Sequence, residues 1–449
     1  MGRKRKPVVA IVGRPNVGKS TLFNVLAGER LSIVKDTPGV TRDRLYTDTD
    51  WLDKEFTLID TGGIEPDSKD IILSQMREQA QIAIDTADVI IFLTDVKQGL
   101  VDSDHQVAVM LRKSGKPVVL AVNKTDNYNK QMADVFEFYN LGLGEPYAIS
   151  SAERTGIGEL LDKVIEYFPE IHDNDEDDDE TVRIAVVGKP NVGKSSIINK
   201  LIGENRVIVS NIAGTTRDAV DTKVRHNGKD YIFVDTAGLR RKNKIKEDLE
   251  HYMIVRTVGA VEKADVTVLV IDGAEGITEQ DAKIAGIAHE RGKGMIIAVN
   301  KWDAVEKNDK TQNEYKKKIR NILSFMPYAE IIFISALTGQ RLPKLYDTID
   351  AVVANHAMRI QTGVLNEIMT QAVVMQQPPS DKGKQLRLYY ITQVSVKPPT
   401  FVIFVNDKEL MHFSYTRYIE NQIRDAFGFA GTPLKFIIRE RSEKNAGIK

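Results

Sequence analysis

At 449 residues the chain has room for about three domains of ordinary size. Its 62 Lys+Arg against 63 Asp+Glu give no bulk charge of the kind that marks a polycationic binder. The absence of cysteine excludes a disulfide framework, a thiolate metal site, an iron–sulfur cluster and a Cys nucleophile, and fits a reducing, cytosolic setting. No apolar run approaches the ~18 residues of a transmembrane helix. The basic opening, residues 1–6, runs into too short an apolar segment for a signal peptide and reads as a tail.

The first strand, Val8–Val12, leads into Gly13-Arg14-Pro15-Asn16-Val17-Gly18-Lys19-Ser20 and then a helical stretch. Gly-x4-Gly-Lys-Ser in that setting is a phosphate cradle: the glycines let backbone N–H groups curl around a β-phosphate, and Lys19 bridges β- and γ-oxygens. The Ser20 hydroxyl then ligates Mg²⁺. Thr41, in Thr41-Arg42-Asp43, can complete the Mg²⁺ shell only while a γ-phosphate holds its segment, which makes it a candidate switch. Strand Phe56–Ile59 ends on Asp60, followed by Thr61, Gly62, Gly63 and Ile64. Asp60 suits Mg²⁺ held through water, and Gly63 leaves an N–H for the γ-phosphate.

Strands Val89–Leu93 and Val118–Val122 follow, the second closing on Asn123-Lys124-Thr125-Asp126. A carboxylate there accepts from the N1–H and amino group of guanine, whereas adenine has no N1 donor and would leave the charge unpaired, so GTP is selected over ATP. The Lys124 stem can pack on the ring. After strand Tyr147–Ser150, Ser151 and Ala152 stand where a backbone N–H can reach the guanine O6.

The series then returns. Gly188-Lys189-Pro190-Asn191-Val192-Gly193-Lys194-Ser195 repeats the cradle at an offset of 175, from 13 to 188. Thr216-Arg217-Asp218 and Asp235-Thr236-Ala237-Gly238-Leu239 keep that offset. Asn300-Lys301-Trp302-Asp303 stands 177 residues on, from 123 to 300, and Ser335-Ala336 closes the set. Strands Ile184–Val187, Tyr231–Val234, Val266–Ile271, Met295–Val299 and Ile331–Ile334 precede these motifs, as ligand sites follow strand C-termini in open α/β sheets. Each copy is thus an α/β domain: a mostly parallel sheet with helices on both faces.

The domains are set at residues 7–169 and 181–350, joined by an acidic linker, 170–180, with seven acids in the eight residues 173–180. Residues 351–449 carry 13 Lys+Arg and 8 Asp+Glu, a net of +5, and read as a small α+β module. Its elements are apolar runs Leu386–Val396 and Thr400–Val405 around Lys397-Pro-Pro399, a helix Thr416–Phe427 and a strand Leu434–Ile438.

The motif set resembles TRAFAC-class GTPases, and two such domains before a small basic module resemble the EngA family of bacterial ribosome-biogenesis GTPases. The resemblance implies a KH-like third domain and a monomeric, cytoplasmic protein with no DNA partner. It also implies GTP-dependent docking on the large (50S) ribosomal subunit and its rRNA, late in that subunit's assembly. The sequence departs from ordinary KH domains, since its Gly428-Phe-Ala-Gly431 lies between a helix and the last strand and reads as a turn. Lys19, Thr41, Lys194 and Thr216 take the catalytic places, with Mg²⁺ on Ser20, Thr41, Asp60, Ser195, Thr216 and Asp235.

Ile64 and Leu239 stand where Ras-like enzymes orient water with Gln, so intrinsic hydrolysis is expected to be slow. GTPases with this replacement resemble a group in which the loop Asn helps hold K⁺, and Asn16 and Asn191 match it. Arg42 and Arg217 are either internal arginine fingers or loop-ordering residues. The run Arg240-Arg-Lys-Asn-Lys-Ile-Lys246 is either a solvated loop or a contact to RNA phosphates or the third module. A regulatory or scaffold double GTPase with incidental hydrolysis is the alternative function. A P-loop kinase has no use for Asn-Lys-x-Asp.

Overall fold

The computed structural model describes residues 6–28, 45–62, 69–169, 181–204, 221–234, 249–381 and 383–440. The expectations for Thr41, Arg42, Gly63, Ile64, Thr216, Arg217, Asp235, Thr236, Ala237, Gly238, Leu239, the acidic linker and the basic run 240–246 lie outside these residues.

The first sheet has the order β2-β3-β1-β4-β5-β6. Its strands are β1 (Val8–Gly13), β2 (Tyr46–Trp51), β3 (Lys54–Asp60), β4 (Val89–Asp95), β5 (Val118–Asn123) and β6 (Pro146–Ala148). All six residues of β1 and all seven of β4 are buried, as a continuous apolar run must be when helices cover both faces of a parallel sheet. Only β2 runs antiparallel, pairing β3 through a turn at Leu52 and Asp53, both at positive φ. The helices are α1 (Lys19–Ala27), α2 (Lys69–Thr86), α3 (Asp102–Ser114), α4 (Tyr128–Phe136) and α5 (Ile157–Glu166). Leu160, Leu161 and Val164 form one stripe of α5 and bury it against the sheet.

The second sheet repeats the design in the order β12-β11-β10-β7-β9-β8. It comprises β7 (Val182–Val187), β8 (Thr222–His226), β9 (Lys229–Val234), β10 (Val266–Asp272), β11 (Gly294–Asn300) and β12 (Glu330–Phe333). Its helices are α6 (Lys194–Glu204), α7 (Leu249–Lys263), α8 (Glu279–Glu290), α9 (Thr311–Ile322) and α10 (Pro343–Ala357). Helix α10 runs unbroken through residue 350, with Leu345, Tyr346, Ile349 and Val352 in the core of this second domain.

The two α/β copies share a core. Met76, Ala80 and Ala83 of α2 cluster with Ile254, Val255 and Val258 of α7. Beside this seam Arg256 pairs with Asp85 at 2.7 Å. Arg291 enters a buried polar pocket, where it meets Asp48 and lies 2.8 Å from Glu262. Lys6 also holds Asp48, at 2.7 Å, and the Thr57 hydroxyl donates to Glu262 at 3.3 Å.

The third module has helix α11 (Thr362–Met375), a two-residue ladder β13 (Ser380–Asp381) with β14 (Lys384–Gln385), strands β15 (Leu388–Ser395) and β16 (Thr400–Val405), helix α12 (Phe413–Phe427) and β17 (Lys435–Glu440). Strands β15 and β16 pair antiparallel, and β17 adds parallel to β16. The residues Gly428 to Gly431 form a turn that docks on the second domain: Gly431 N–H donates to the Tyr328 carbonyl at 2.8 Å, and its own carbonyl accepts from Met295 N–H at 2.7 Å. A Cβ at Gly431 would collide with Val352, so only glycine lets the backbones meet.

Candidate functional site

Each phosphate loop bridges the end of a buried strand and the start of a helix, β1 to α1 and β7 to α6. Asn16 and Asn191 both sit at φ 64°, a left-handed conformation that Asn tolerates. They are exposed, and among the described residues their side chains make no hydrogen bond. Gly18 and Gly193 have φ 99° and 98°, and a Cβ on either would strike the Asn123 or Asn300 amide.

Lys19 Nζ donates to the carbonyls of Gly13 at 2.8 Å and Arg14 at 2.7 Å. Lys194 does the same to Gly188 at 2.7 Å and Lys189 at 2.6 Å. Burial pushes both ammonium groups down to about 8, against the opposing pull of Asp60 on Lys19 and of Asp281 on Lys194. An unfolded lysine keeps its proton to ~10.4, so between those values the unfolded chain binds more protons and the protein gains stability as pH rises. A polyphosphate placed on these lysines would reverse the shift by restoring an anionic partner. Nucleotide binding at pH 9 is therefore expected to take up about one proton per site, against nearly none at pH 7. Calorimetry in buffers of different ionisation heat checks this, and equal uptake at both pH values contradicts it.

Ser20 Oγ donates to Asp60 Oδ2 at 3.1 Å, and Asp60 Oδ1 accepts from Gly62 N–H at 2.8 Å. A hydroxyl and a carboxylate converging beside the phosphate cradle are a hard-oxygen set that fits Mg²⁺ completed by phosphate and water. Ser195 holds the equivalent place in the second copy. The Thr61 hydroxyl is spent on the Ile11 carbonyl at 2.6 Å.

The Asn of each Asn-Lys-x-Asp motif acts as a clamp. Asn123 Nδ2 donates to the Val17 carbonyl at 2.7 Å, and its Oδ1 accepts from Ser151 N–H at 2.9 Å. Asn300 joins Val192 at 2.8 Å and Ala336 at 2.9 Å in the same way. The amides of Ser151 and Ala336 are thus committed, and among the described residues the next N–H groups, Ala152 and Leu337, have no partner. In the second copy the residue equivalent to Ala152 is Leu337, one place beyond the Ser335-Ala336 pair.

Lys124 and Lys301 adopt positive φ and reach the strand-end acids Asp95 and Asp272 at 2.7 and 2.6 Å. Thr125 and Trp302 turn into the core, Trp302 against Tyr315 and Phe333. Asp126 accepts from Lys97 at 2.6 Å and from the Ser150 hydroxyl at 2.8 Å, bonds that hold its carboxyl below the ordinary range. Asp303 is exposed and makes no such bond among the described residues. Pro15 and Pro190 stand in the loops directly before the left-handed Asn16 and Asn191.

Arg14 and Lys189 point away from the loops, toward Asp104 and toward Glu275 and Asp281. Sequence reasoning missed Asp95, Asp104, Asp272 and Asp281, although the repeat carries a signal for them. From 95 to 272 and from 104 to 281 the offset is 177, as for Asn-Lys-x-Asp.

The family model described as 50S ribosome-binding GTPase matches twice, at residues 8–124 and 183–301. The model described as the C-terminal KH-domain-like region of EngA bacterial GTPase enzymes matches 359–439. A GTPase Der of Agathobacter rectalis is 72% identical over 438 residues, covering 98% of this chain and 99% of the relative. That of Lachnoclostridium phytofermentans is 71% identical over 440 residues, covering 98% of this chain and all of the relative. Among the described residues no helix is long and apolar enough to cross a membrane.

Proposed function

The chain belongs to the GTPase Der family, and from that membership we propose that it is a GTP-driven switch in late assembly of the large ribosomal subunit. The observation that carries this reading is the pair of guanine-type sites on domains that match a ribosome-binding GTPase model, followed by a KH-like module. The reaction is GTP + H2O to GDP + phosphate. Lys19 and Lys194 leave their resting carbonyls for the β- and γ-phosphate oxygens, where they offset charge gathering on the γ-group. Ser20 with Asp60, and Ser195 with Asp235, would hold Mg²⁺, which supplies charge neutralisation across the β- and γ-phosphates.

Asp126 and Asp303 take the guanine N1–H and amino group, and the N–H groups of Ala152 and Leu337 meet O6. The first site exchanges the Lys97 contact on Asp126 for the base. Thr41 and Thr216 are the γ-phosphate sensors. Asn16 and Asn191 offer free amide oxygens beside the phosphates, a hard-oxygen position that suits K⁺. Ile64 and Leu239 provide no group to orient water, so a cation beside the γ-phosphate is the available aid to hydrolysis. The protein is taken to act as a cytoplasmic monomer.

Two experiments test this. Co-sedimentation with purified subunits is expected to retain the protein on the large subunit with a non-hydrolysable GTP analogue and to release it with GDP. Equal retention in both states points instead to a scaffold. GTP turnover is expected to be faster in K⁺ than in Na⁺ at equal ionic strength, and equal rates remove the role given to Asn16 and Asn191.

A further inference from the structure

The second residue of each phosphate loop is a cation, and in neither copy does it enter the loop. Arg14 Nε donates to Asp104 Oδ1 at 2.8 Å, and Nη1 donates to Gln98 Oε1 at 2.6 Å. Lys189 Nζ donates to Glu275 Oε1 at 2.7 Å and lies 3.9 Å from Asp281 Oδ2. Asp104 and Asp281 occupy the first turns of α3 and α8, and both are fully buried. A carboxylate with no access to water persists only beside partners that repay its desolvation. The backbone carbonyls of these same two cations hold the loop lysines, at 2.7 Å for Arg14 and 2.6 Å for Lys189. Arg14 thus ties the floor of its cradle to helix α3, whereas Lys189 ties its own to Glu275, in the segment just before α8.

The two ties differ in strength. The guanidinium of Arg14 is planar, engages two partners at once and lies almost wholly out of water. Lys189 makes its short contact with Glu275, whose side chain is 54% exposed, so solvent and salt weaken it. Asp281 Oδ2 accepts from the Thr278 backbone N–H and hydroxyl at 3.0 and 2.8 Å, while its buried Oδ1 has no partner among the described residues.

We propose that Arg14 with Asp104, and Lys189 with Glu275 and Asp281, are positioning pairs for the phosphate loops, and that the tighter first pair makes the first site release nucleotide more slowly. This rests on the reading of both loops as guanine-nucleotide sites. A preorganised cradle avoids the ordering cost of binding, and such gains are read mainly in the dissociation rate.

The test exchanges the two cations in the full-length protein and follows release of N-methylanthraniloyl-GDP by stopped flow. Two labelled nucleotides per chain verify the sites themselves, separately from the pairs. Wild-type release is expected in two phases of equal amplitude. Arg14→Lys should accelerate the slow phase about fivefold and leave the fast one, while Lys189→Arg should slow only the fast phase. Glu275→Gln, at an exposed position that cannot endanger the fold, should accelerate only the fast phase and remove its salt dependence. Melting temperature is measured alongside, because a purely structural pair would shift melting and leave site-specific release untouched. Release rates unchanged by both exchanges, or Arg14→Lys acting on the fast phase, would overturn the proposal.

Discussion

Arg291→Ala costs the junction between the two GTPase domains about 3–5 kcal/mol, the usual loss when one member of a buried ion cluster is removed and its partners remain. Arg291 and Glu262 are 7% and 6% exposed, and both are far from the bulk solvent that would otherwise screen them. Burial works to raise the Asp48 carboxyl, but Arg291 and then Lys6 overcome it and hold it at about 2. Without Arg291, Glu262 keeps the Thr57 hydroxyl as its counterpart in this pocket, and an uncompensated charge stays inside. In urea, the first unfolding transition should move to clearly lower denaturant. Arg291→Met, which keeps an apolar stem but loses the guanidinium that lies over the Tyr46 ring, should lose nearly as much. A shift under ~1 kcal/mol would mean that the cluster is worth no more than a surface pair. The pH sign follows: a depressed Asp48 adds stability above the unfolded value near ~3.9, and this is lost as pH falls toward 2.

Asp303→Asn weakens GTP binding at the second site by about 2–5 kcal/mol, because a charge-assisted pair of hydrogen bonds loses its acceptor and gains an opposed donor. Asp303 makes no hydrogen bond to the described protein, so its loss removes no internal contact there and the domain should melt as before. Xanthosine triphosphate carries an oxygen at C2 in place of the amino group, and it should bind the variant better than GTP does. Titration calorimetry separates the two nucleotides. Undiminished GTP affinity at that site would show that the base is read elsewhere.

The nucleotide motifs were legible because each needs fixed residue types at fixed spacing, and the chain states them twice. The edge strands β2 and β8 were not, since Tyr-Thr-Asp-Thr-Asp-Trp and Thr-Lys-Val-Arg-His mix polar residues into a half-exposed ladder. Helix α11 was missed as well, because its apolar residues leave no clear polar face to mark a period. Leu337 was passed over because only the structure shows that the amide of Ala336 is already spent on Asn300. The Arg291 cluster joins residues as far apart as 48 and 291, and nothing local in either stretch marks a partner in the other domain.

Strand β11 ends at Asn300, the clamp of the second guanine pocket, while near its other end Met295 is hydrogen-bonded to the glycine turn of the third module. The strand is therefore a stiff beam, roughly 20 Å long at the rise of an extended chain, with the base pocket at one tip and the KH-like module bolted near the other. The clamp residue and the module's anchor, five positions apart on one buried strand, thus stand at a fixed separation.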